Sequence, residues 1–238
     1  MNKLFLGIFL ILIISLVYAD DSEIFVDQVG ANANISLEQL GSGNLIGGLD
    51  AQAGNMTALD LDGQNFTLDI NQIGDQNKYF GDMYADNYTG FFQFDGDSNT
   101  FTSKMDPTNA FSADGSNVNA QITGGSNTFT LDLATTALAG STDLDWIVQG
   151  DSNQIDADIN YDSATNYMNV DGDSNNINFV GSGAAQGYFH IEHDGDSRTF
   201  DIDQITTLDS SYLKILSNGN NGTFCIQQDD ASGTSLGC

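Results

Sequence analysis

The sequence predicts an all-β fold, namely a β-solenoid made of roughly eight or nine coils, each with two strands and about 22 residues. The phrase Gly-Asp-Ser-Asn recurs along the chain, and apolar residues take every second position on both sides of it. Alternation of this kind is typical of strands with one buried face. Gly, Asp, Ser and Asn favour the tight turns between such strands. After the first 19 residues no apolar stripe has helical spacing, so helices are not predicted.

The strands that follow successive turns align residue by residue, and this alignment predicts a narrow core. Similar apolar side chains recur at the inward positions, where stacked coils place them over one another. The inward positions hold Phe101, Phe129, Ile155, Ile177 and Phe200, and two residues later Leu131, Ala157, Phe179 and Ile202. The outward positions hold Thr100, Thr128, Gln154, Asn176 and Thr199.

The spacing of the turn glycines sets the predicted length of a coil. In the first third of the chain they lie about 11 residues apart, and later mostly 19 to 26 apart. Both spacings fit a coil of about 22 residues with two turns. The period slips at residues 104–111, which contain Pro107, and at residues 134–143. We expect an enlarged turn at each of these two places.

The composition restricts the class of partner. The 238 residues include 33 acidic and 5 basic side chains, for a net charge of -28. Nucleic acid is excluded as a partner because a chain so poor in Lys and Arg cannot displace phosphate counterions. Disorder is the alternative for so acidic a chain. Against it, apolar residues make up 40% of the chain and alternate regularly.

The first residues have the form of a secretory signal. Lys3 precedes an uncharged apolar run over residues 4–17, and Ala19 offers a small residue for cleavage. We therefore expect a signal peptide at residues 1–19, a single solenoid domain over residues 20–238 and an extracellular location. A retained membrane anchor is the alternative, although the run is shorter than the roughly 20 residues of a spanning helix.

Two cysteines close the sequence, at Cys225 and Cys238. In an oxidising compartment two cysteines of a secreted chain usually pair. We expect a disulfide between them.

The first third of the chain carries a second motif, Gln-x-Gly-x-x-Asn, which begins at Gln39 and again at Gln72. Over roughly residues 26–80 this pattern resembles the repeats of curlin, the subunit of curli amyloid fibres. The resemblance implies a solenoid of strand-turn-strand coils that stack end to end into extracellular filaments. It also implies internal amide ladders formed by Gln39, Asn44, Gln72 and Asn77. Later coils depart from the family pattern, because they use Gly-Asp-Ser-Asn and vary in length.

The turn aspartates suggest a cation site. Stacked turns would align their carboxylates, and a cation such as Ca²⁺ would relieve the repulsion between them. An EF-hand is excluded because the required Gly and Glu are missing from the sixth and twelfth positions. Aspartates that are simply solvated are the alternative. The candidate ligands are Asp97, Asp151, Asp173 and Asp196.

No pattern in the sequence points to catalysis. His190 and His193 flank Glu192 on one predicted strand, so His190 and Glu192 share a face and His193 takes the other. The sequence contains no nucleophile elbow and no phosphate-binding loop. We therefore predict that the protein is not an enzyme.

Five Asn-x-Ser/Thr sequons occur, about as many as chance gives for this composition. We expect them to accept glycans where the host glycosylates secreted proteins. They are Asn34, Asn55, Asn65, Asn87 and Asn221.

The expected function is structural: a secreted subunit of an extracellular fibre or surface matrix that assembles with copies of itself, head to tail. The open strand edges at the ends of a solenoid template pairing with another copy. The alternative is an adhesin that binds cell-surface glycans through aromatic residues such as those in 84–92. An ice-binding protein and a polysaccharide-cleaving β-helix enzyme are weaker alternatives, because Thr pairs recur in only two coils and a catalytic cluster is absent. The assembly residues would be Ile24, Phe25, Val26, Phe224 and Ile226.

Overall fold

The computed structural model describes residues 23–49, 56–57, 59–105, 113–133, 140–161, 163–183, 186–206 and 211–229. All of the regular secondary structure in these ranges is β-strand. The first strands are Glu23–Ile24 (β1), Asp27–Ala31 (β2), Asn34–Leu40 (β3), Leu45–Ile46 (β4), Gly48–Leu49 (β5), Met56–Thr57 (β6), Leu59–Gln64 (β7), Thr67–Ile73 (β8), Lys78–Asp86 (β9), Thr89–Asp95 (β10) and Ser98–Met105 (β11). The remaining strands are Asn117–Thr123 (β12), Ser126–Leu133 (β13), Ser141–Gln149 (β14), Gln154–Tyr161 (β15), Ser163–Asp171 (β16), Asn176–Gly183 (β17), Gly187–Asp194 (β18), Thr199–Thr206 (β19), Tyr212–Asn218 (β20) and Thr223–Asp229 (β21).

The strands form two parallel sheets that enclose the core. Sheet A contains β1, β2, β4, β7, β9 and the odd-numbered strands from β11 to β21. Sheet B contains β3, β8 and the even-numbered strands from β10 to β20. The chain alternates between the sheets, so each strand pairs with strands from the preceding and following coils. The protein is therefore a β-solenoid, as the sequence predicts.

The predicted columns of side chains are present. Phe101 pairs in register with Phe129, and Phe129 pairs with Ile155. The same column continues through Ile177 to Phe200. All five side chains are at most 1% exposed. The rings of Phe101 and Phe129 stack with centroids 4.5 Å apart and planes within 7° of each other. The core is thus a set of apolar columns that run along the solenoid axis.

The predicted coil of about 22 residues is too short for the first third of the chain. Gln39 stacks on Gln72, which lies 33 residues further along the chain, whereas later coils repeat after 22, 28 or 26 residues. The long coil arises because β4 and β7 share one strand position, both pairing with β9. The antiparallel β5–β6 hairpin is inserted between them. Most of the two enlarged turns expected at residues 104–111 and 134–143 lies outside the described residues, which resume after β11 at residue 113 and after β13 at residue 140.

The two sheets end unevenly among the described residues. Each coil from the first one onward supplies a strand position to sheet A and a strand to sheet B. The last strand, β21, pairs with β19 in sheet A and has no counterpart beyond β20 in sheet B. Sheet A therefore extends one strand further at the carboxyl-terminal end. None of the described residues forms a helix that could cross a membrane.

Candidate functional site

The asparagines of the turn phrase form a buried ladder along one edge of the solenoid. The Nδ2 of Asn127 donates to the Oδ1 of Asn153 at 2.9 Å, and the Nδ2 of Asn99 donates to the Oδ1 of Asn127 at 2.9 Å. All members are at most 1% exposed. The asparagine ladder consists of Asn44, Asn77, Asn99, Asn127, Asn153 and Asn175. Each amide nitrogen in the row has an acceptor, which is the condition for placing amides in a core, and only the Oδ1 of Asn44, at the start of the row, lacks a donor among the ladder residues.

Each asparagine also closes its own turn. The Nδ2 of Asn127 donates to the carbonyl oxygen of Gly124, three residues earlier, at 3.2 Å. The same nitrogen donates to the carbonyl oxygen of Gln149 in the following coil at 3.1 Å. The sequence pattern predicts a turn here, because Asn is frequent in turns, but it does not show which way the asparagine side chain points. In fact Ser152 and Ser174 adopt the left-handed conformation, with φ of 61°, and the asparagine that follows each of them points inward.

The amide stacks implied at Gln39, Gln72, Asn44 and Asn77 are present. The Nε2 of Gln72 donates to the Oε1 of Gln39 at 2.7 Å, and the Nδ2 of Asn44 donates to the Oδ1 of Asn77 at 3.0 Å. All four side chains are buried.

The predicted line of turn aspartates is formed over the later coils. The Oδ1 of Asp151 accepts the backbone N–H of Asp173 at 3.2 Å, and the Oδ1 of Asp173 accepts that of Asp196 at 2.7 Å. Asp97 lies apart from them, because Gly125 occupies the same turn position in the coil between. No group of three or more His, Cys, Asp or Glu residues in the described ranges could share a metal ion. The carboxylates are engaged with backbone amides of the next coil, and the calcium site stays a prediction.

Arg198 takes the ladder position in the last full coil. Its guanidinium donates to the carbonyl oxygens of Gly195 at 2.9 Å, Gly219 at 3.1 Å and Asn220 at 3.2 Å, and it lies 5.5 Å from the centre of the Phe224 ring. These contacts account for a charged side chain that is only 6% exposed. The ladder therefore ends in a cation instead of an amide.

His193 lies beside this end of the ladder. It is 3% exposed, and its Nε2 lies 3.0 Å from the Nδ2 of Asn175. Burial, and then the positive charge of Arg198, lower the pKa of His193, while Asp194 and Asp171 act in the opposite direction. The imidazole is therefore held in its neutral form inside the protein.

We expect this histidine to make the fold less stable in mild acid. Unfolded His193 takes up a proton near its ordinary pKa of 6.5, whereas the folded protein resists protonation until a lower pH. The free energy of unfolding therefore falls as the pH drops below about 6.5 and levels off at the lowered pKa. Melting temperatures measured between pH 7 and pH 5 check this.

His193→Val is the matched control, because Val148 and Val170 occupy the same column in the two preceding coils. The variant should lose the decline between pH 6.5 and pH 5. Asp158 acts in the opposite sense at lower pH, since burial and the neighbouring Asp132 raise its pKa. An equal decline in the variant and the wild type would show that another group is responsible.

The exposed aromatic residues lie elsewhere than the sequence suggested. Within residues 84–92, Tyr88 and Phe92 are buried and only Phe91 is clearly exposed, at 46%. The larger group lies on the outer face of sheet B near its carboxyl-terminal end, where Tyr188 stacks on Tyr212. Sequence reasoning passed over this pair, although both tyrosines occupy outward positions of alternating strands.

His190, Glu192 and Tyr167 lie next to the tyrosine pair. As predicted, His190 and Glu192 share the outer face and His193 faces inward. The Oη of Tyr167 donates to the Oε2 of Glu192 at 3.1 Å, and the Nε2 of His190 lies 3.2 Å from the Oε1 of Glu192. The Glu192 carboxylate thus accepts a hydrogen bond from Tyr167 and lies close to the ring of His190.

The predicted modification sites are on the surface where the structure describes them. Asn34, Asn65, Asn87 and Asn221 are exposed, and Asn55 lies outside the described residues. Cys225 is disulfide-bonded. Its predicted partner, Cys238, lies outside the described residues, so the pairing stays a prediction.

Both ends of the described solenoid present open strand edges. At the amino-terminal end Ile24 and Val26 pack against the core, and Phe25 lies on the outer face with 48% exposure. At the other end the inner-face residues Phe224 and Ile226 are 43% and 48% exposed. Alternation along the strand turns Phe25 outward, so this assembly residue lies away from the core side chains at the open end. Comparisons of the chain with models of protein families, with curated proteins and with solved structures found no match.

Proposed function

We propose that the protein is a subunit of an extracellular filament or surface matrix in which copies assemble head to tail through sheet A. The observation that carries this proposal is the match between the two ends of that sheet. Its first strand position is β1 with β2, and its last is β21. Open parallel edges of this kind pair with a second strand of suitable pattern. The resemblance of residues 26–80 to curlin repeats supports the same proposal.

The inner faces of the two ends agree position by position. Ile24 and Phe224 belong to one inward column of the solenoid, and Val26 and Ile226 belong to another. If a second copy continued the solenoid, its Ile24 would lie on Phe224 of the first copy and its Val26 on Ile226. Both steps put one apolar side chain on another. Stacking a second copy would therefore cover the core side chains that each end leaves exposed.

A pair of glutamines extends the match. Gln28 belongs to the same column as Gln228. Inside the chain the Nε2 of Gln228 already donates to the Oε1 of Gln204 at 3.0 Å. A second copy would continue this amide stack with its own Gln28, in the way that Gln39 and Gln72 stack within the chain.

The outer faces of the two ends avoid placing one carboxylate on another. Asp27 of one copy would face Gln227 of the next, and Val29 would face Asp229. Within the chain the same outer column places Asp27 beside Asp60, and this neighbour contributes to the raised pKa of Asp60 after burial. The contact between copies is thus less repulsive than a step inside the chain.

The backbone groups on the open edge can be identified from the pairing. The carbonyl oxygen of Val26 accepts the N–H of Asp60 at 2.9 Å, so Val26 directs its backbone groups to the coil that follows. Successive residues of a parallel strand alternate in this direction. Asp27 and Val29 lie one and three residues after Val26, so their backbone groups point the other way. Both residues therefore present their N–H and C=O groups to the open edge.

A cysteine pair tests the proposed register. Gln28→Cys combined with Gln228→Cys should give covalent multimers under mild oxidation, because paired strands place their Cα atoms within disulfide range, about 4.4–6.8 Å. Gln28→Cys with Gln227→Cys is the matched control, since residue 227 lies on the outer face. Non-reducing gel electrophoresis should show a series of multimers only for the first pair.

Val29→Pro tests the edge itself. Val29 is 71% exposed, so the substitution removes an edge N–H with little loss of packing. The variant should remain monomeric with unchanged β content, whereas Val29→Thr should assemble like the wild type. A wild-type protein that stays monomeric at high concentration in sedimentation and electron microscopy would refute the filament proposal and favour the glycan-binding adhesin.

A further inference from the structure

The outer face of sheet B carries an organised surface that filament formation does not use. Tyr188 and Tyr212 are 40% and 49% exposed, and their rings are parallel within 3° with centroids 5.0 Å apart. The ring of His190 meets Tyr188 edge-on at 6.4 Å and Tyr167 edge-on at 5.3 Å. We refer to Tyr167, Tyr188, Tyr212 and His190 as the aromatic platform.

The platform is held in place before any partner binds. Glu192 contacts both Tyr167 and His190, at 3.1 Å and 3.2 Å. Burial, and then the hydrogen bond to Glu192, raise the pKa of Tyr167, so its hydroxyl stays protonated at neutral pH and donates to the carboxylate. Tyr167 is fixed by this hydrogen bond, and Tyr188 is restricted by the parallel ring of Tyr212 and the edge-on ring of His190. Restricted rings lose little side-chain entropy on binding a ligand.

A polar groove of about 710 Å³ adjoins the platform. Glu192, which contacts Tyr167 and His190 of the platform, also lines the groove, and Leu216, which is 47% exposed, lines it beside Glu192. Amide and carboxylate side chains lie in rows across successive strands, about 4.8 Å apart. The outward polar residues of the groove are Gln149, Asn169, Asp171, Asp194 and Asn218.

The charges around the groove select among partners. Asp171, Glu192 and Asp194 line it, whereas Lys214 is the one Lys or Arg side chain that the described residues place on this face. A polyanion such as nucleic acid or an acidic polysaccharide would meet like charge. An uncharged polyhydroxylated chain meets no such penalty, because its hydroxyl groups donate to carboxylates and amides.

We infer that this surface binds an uncharged polysaccharide, with sugar rings packed on the exposed tyrosines and hydroxyl groups bonded to the polar rows. The apolar faces of pyranose rings suit exposed aromatic rings, and the hydroxyl groups around their rim suit the groove. Strand spacing gives the rows a short, regular repeat along the axis, which suits an extended chain of sugar units better than a compact ligand. The inference is independent of filament formation, since the platform lies on the flank of the solenoid.

Affinity electrophoresis tests it, with native gels that contain hydroxyethyl cellulose, laminarin or mannan, all uncharged. At least one of the three should retard the wild-type protein. Tyr188→Thr combined with Tyr212→Thr should weaken that binding at least tenfold. Threonine already occupies this outward column at Thr89 and Thr165, so the variant keeps a residue type that the sheet accepts. Circular dichroism should show unchanged β content.

Phe91→Thr is the control, because Phe91 is 46% exposed on the same face of sheet B but lies in β10, four strands from Tyr188 in β18 and outside the platform. It should bind like the wild type. No retardation by any of the three polysaccharides would overturn the inference, and so would retardation unaffected by the double tyrosine variant. Binding only to a polycation, lost at high salt, would instead assign the groove to basic partners.

Discussion

Gly150→Ala should destabilise the fold by about 4 kcal/mol or more, because two penalties act together. Gly150 has a φ of 139°, in the region that side chains other than glycine rarely adopt. In addition, a Cβ at this position would lie 1.4 Å from the carbonyl oxygen of Gly124 in the preceding coil. The turns stack so closely that one coil rests on the backbone of the other. Urea unfolding followed by circular dichroism measures the loss.

Gly41→Ala separates the two penalties. Gly41 has a similar φ of 131°, but a Cβ there meets no atom within 4 Å. This glycine begins the first turn of its column, so no earlier coil among the described residues presses on it. We expect the variant to lose only the backbone contribution, about 1–2 kcal/mol. Equal losses at Gly41 and Gly150 would mean that stacking of the turns contributes nothing.

Asn127→Ala should also destabilise strongly, by about 3–5 kcal/mol, because it breaks the asparagine ladder in its middle. The Nδ2 of Asn99 loses its acceptor on Asn127, and the Oδ1 of Asn153 loses its donor on Asn127. The carbonyl oxygens of Gly124 and Gln149 lose theirs as well. Thermal and urea unfolding measure the change.

Asn176→Ala is the comparison, since Asn176 is an exposed asparagine on the outer face of β17. Its replacement should change the free energy of unfolding by less than about 0.5 kcal/mol. If both alanine variants were equally stable, water would have to satisfy the broken ladder, and the buried amides would not be a source of stability.

Sequence alone predicted the fold from Gly96 onward in considerable detail. The inward column from Phe101 to Phe200 is correct because two-residue alternation and a recurring turn together define both the face and the register of each strand. The N-terminal third was harder to predict. A hairpin with glycines of its own is inserted between β4 and β7. The spacing of all the glycines there therefore suggested a coil of about 22 residues, whereas the observed repeat is 33 residues.

The candidate sites were predicted less well, for a physical reason. Asn, Asp and Ser all favour turns, so composition does not reveal that Asn127 points into the core while Ser152 bends the backbone. Aromatic residues are equally ambiguous: Tyr88 is buried and Tyr188 exposed, although both lie in similar alternating patterns. Whether an aromatic side chain is buried depends on the face of the strand that it occupies. In the first coils the sequence did not establish that face, because the predicted coil length was wrong there.

The additional strand that the described residues place at the end of sheet A has a consequence for the joint between two copies. If the next copy pairs with β21, the described residues leave a space as wide as one strand in sheet B between β20 and the next β3. Leu213 and Ile215 border this space on one side, and Ile35 and Leu37 border it on the other. A strand that fills this space needs alternating apolar residues, so that the core of one copy continues into the core of the next.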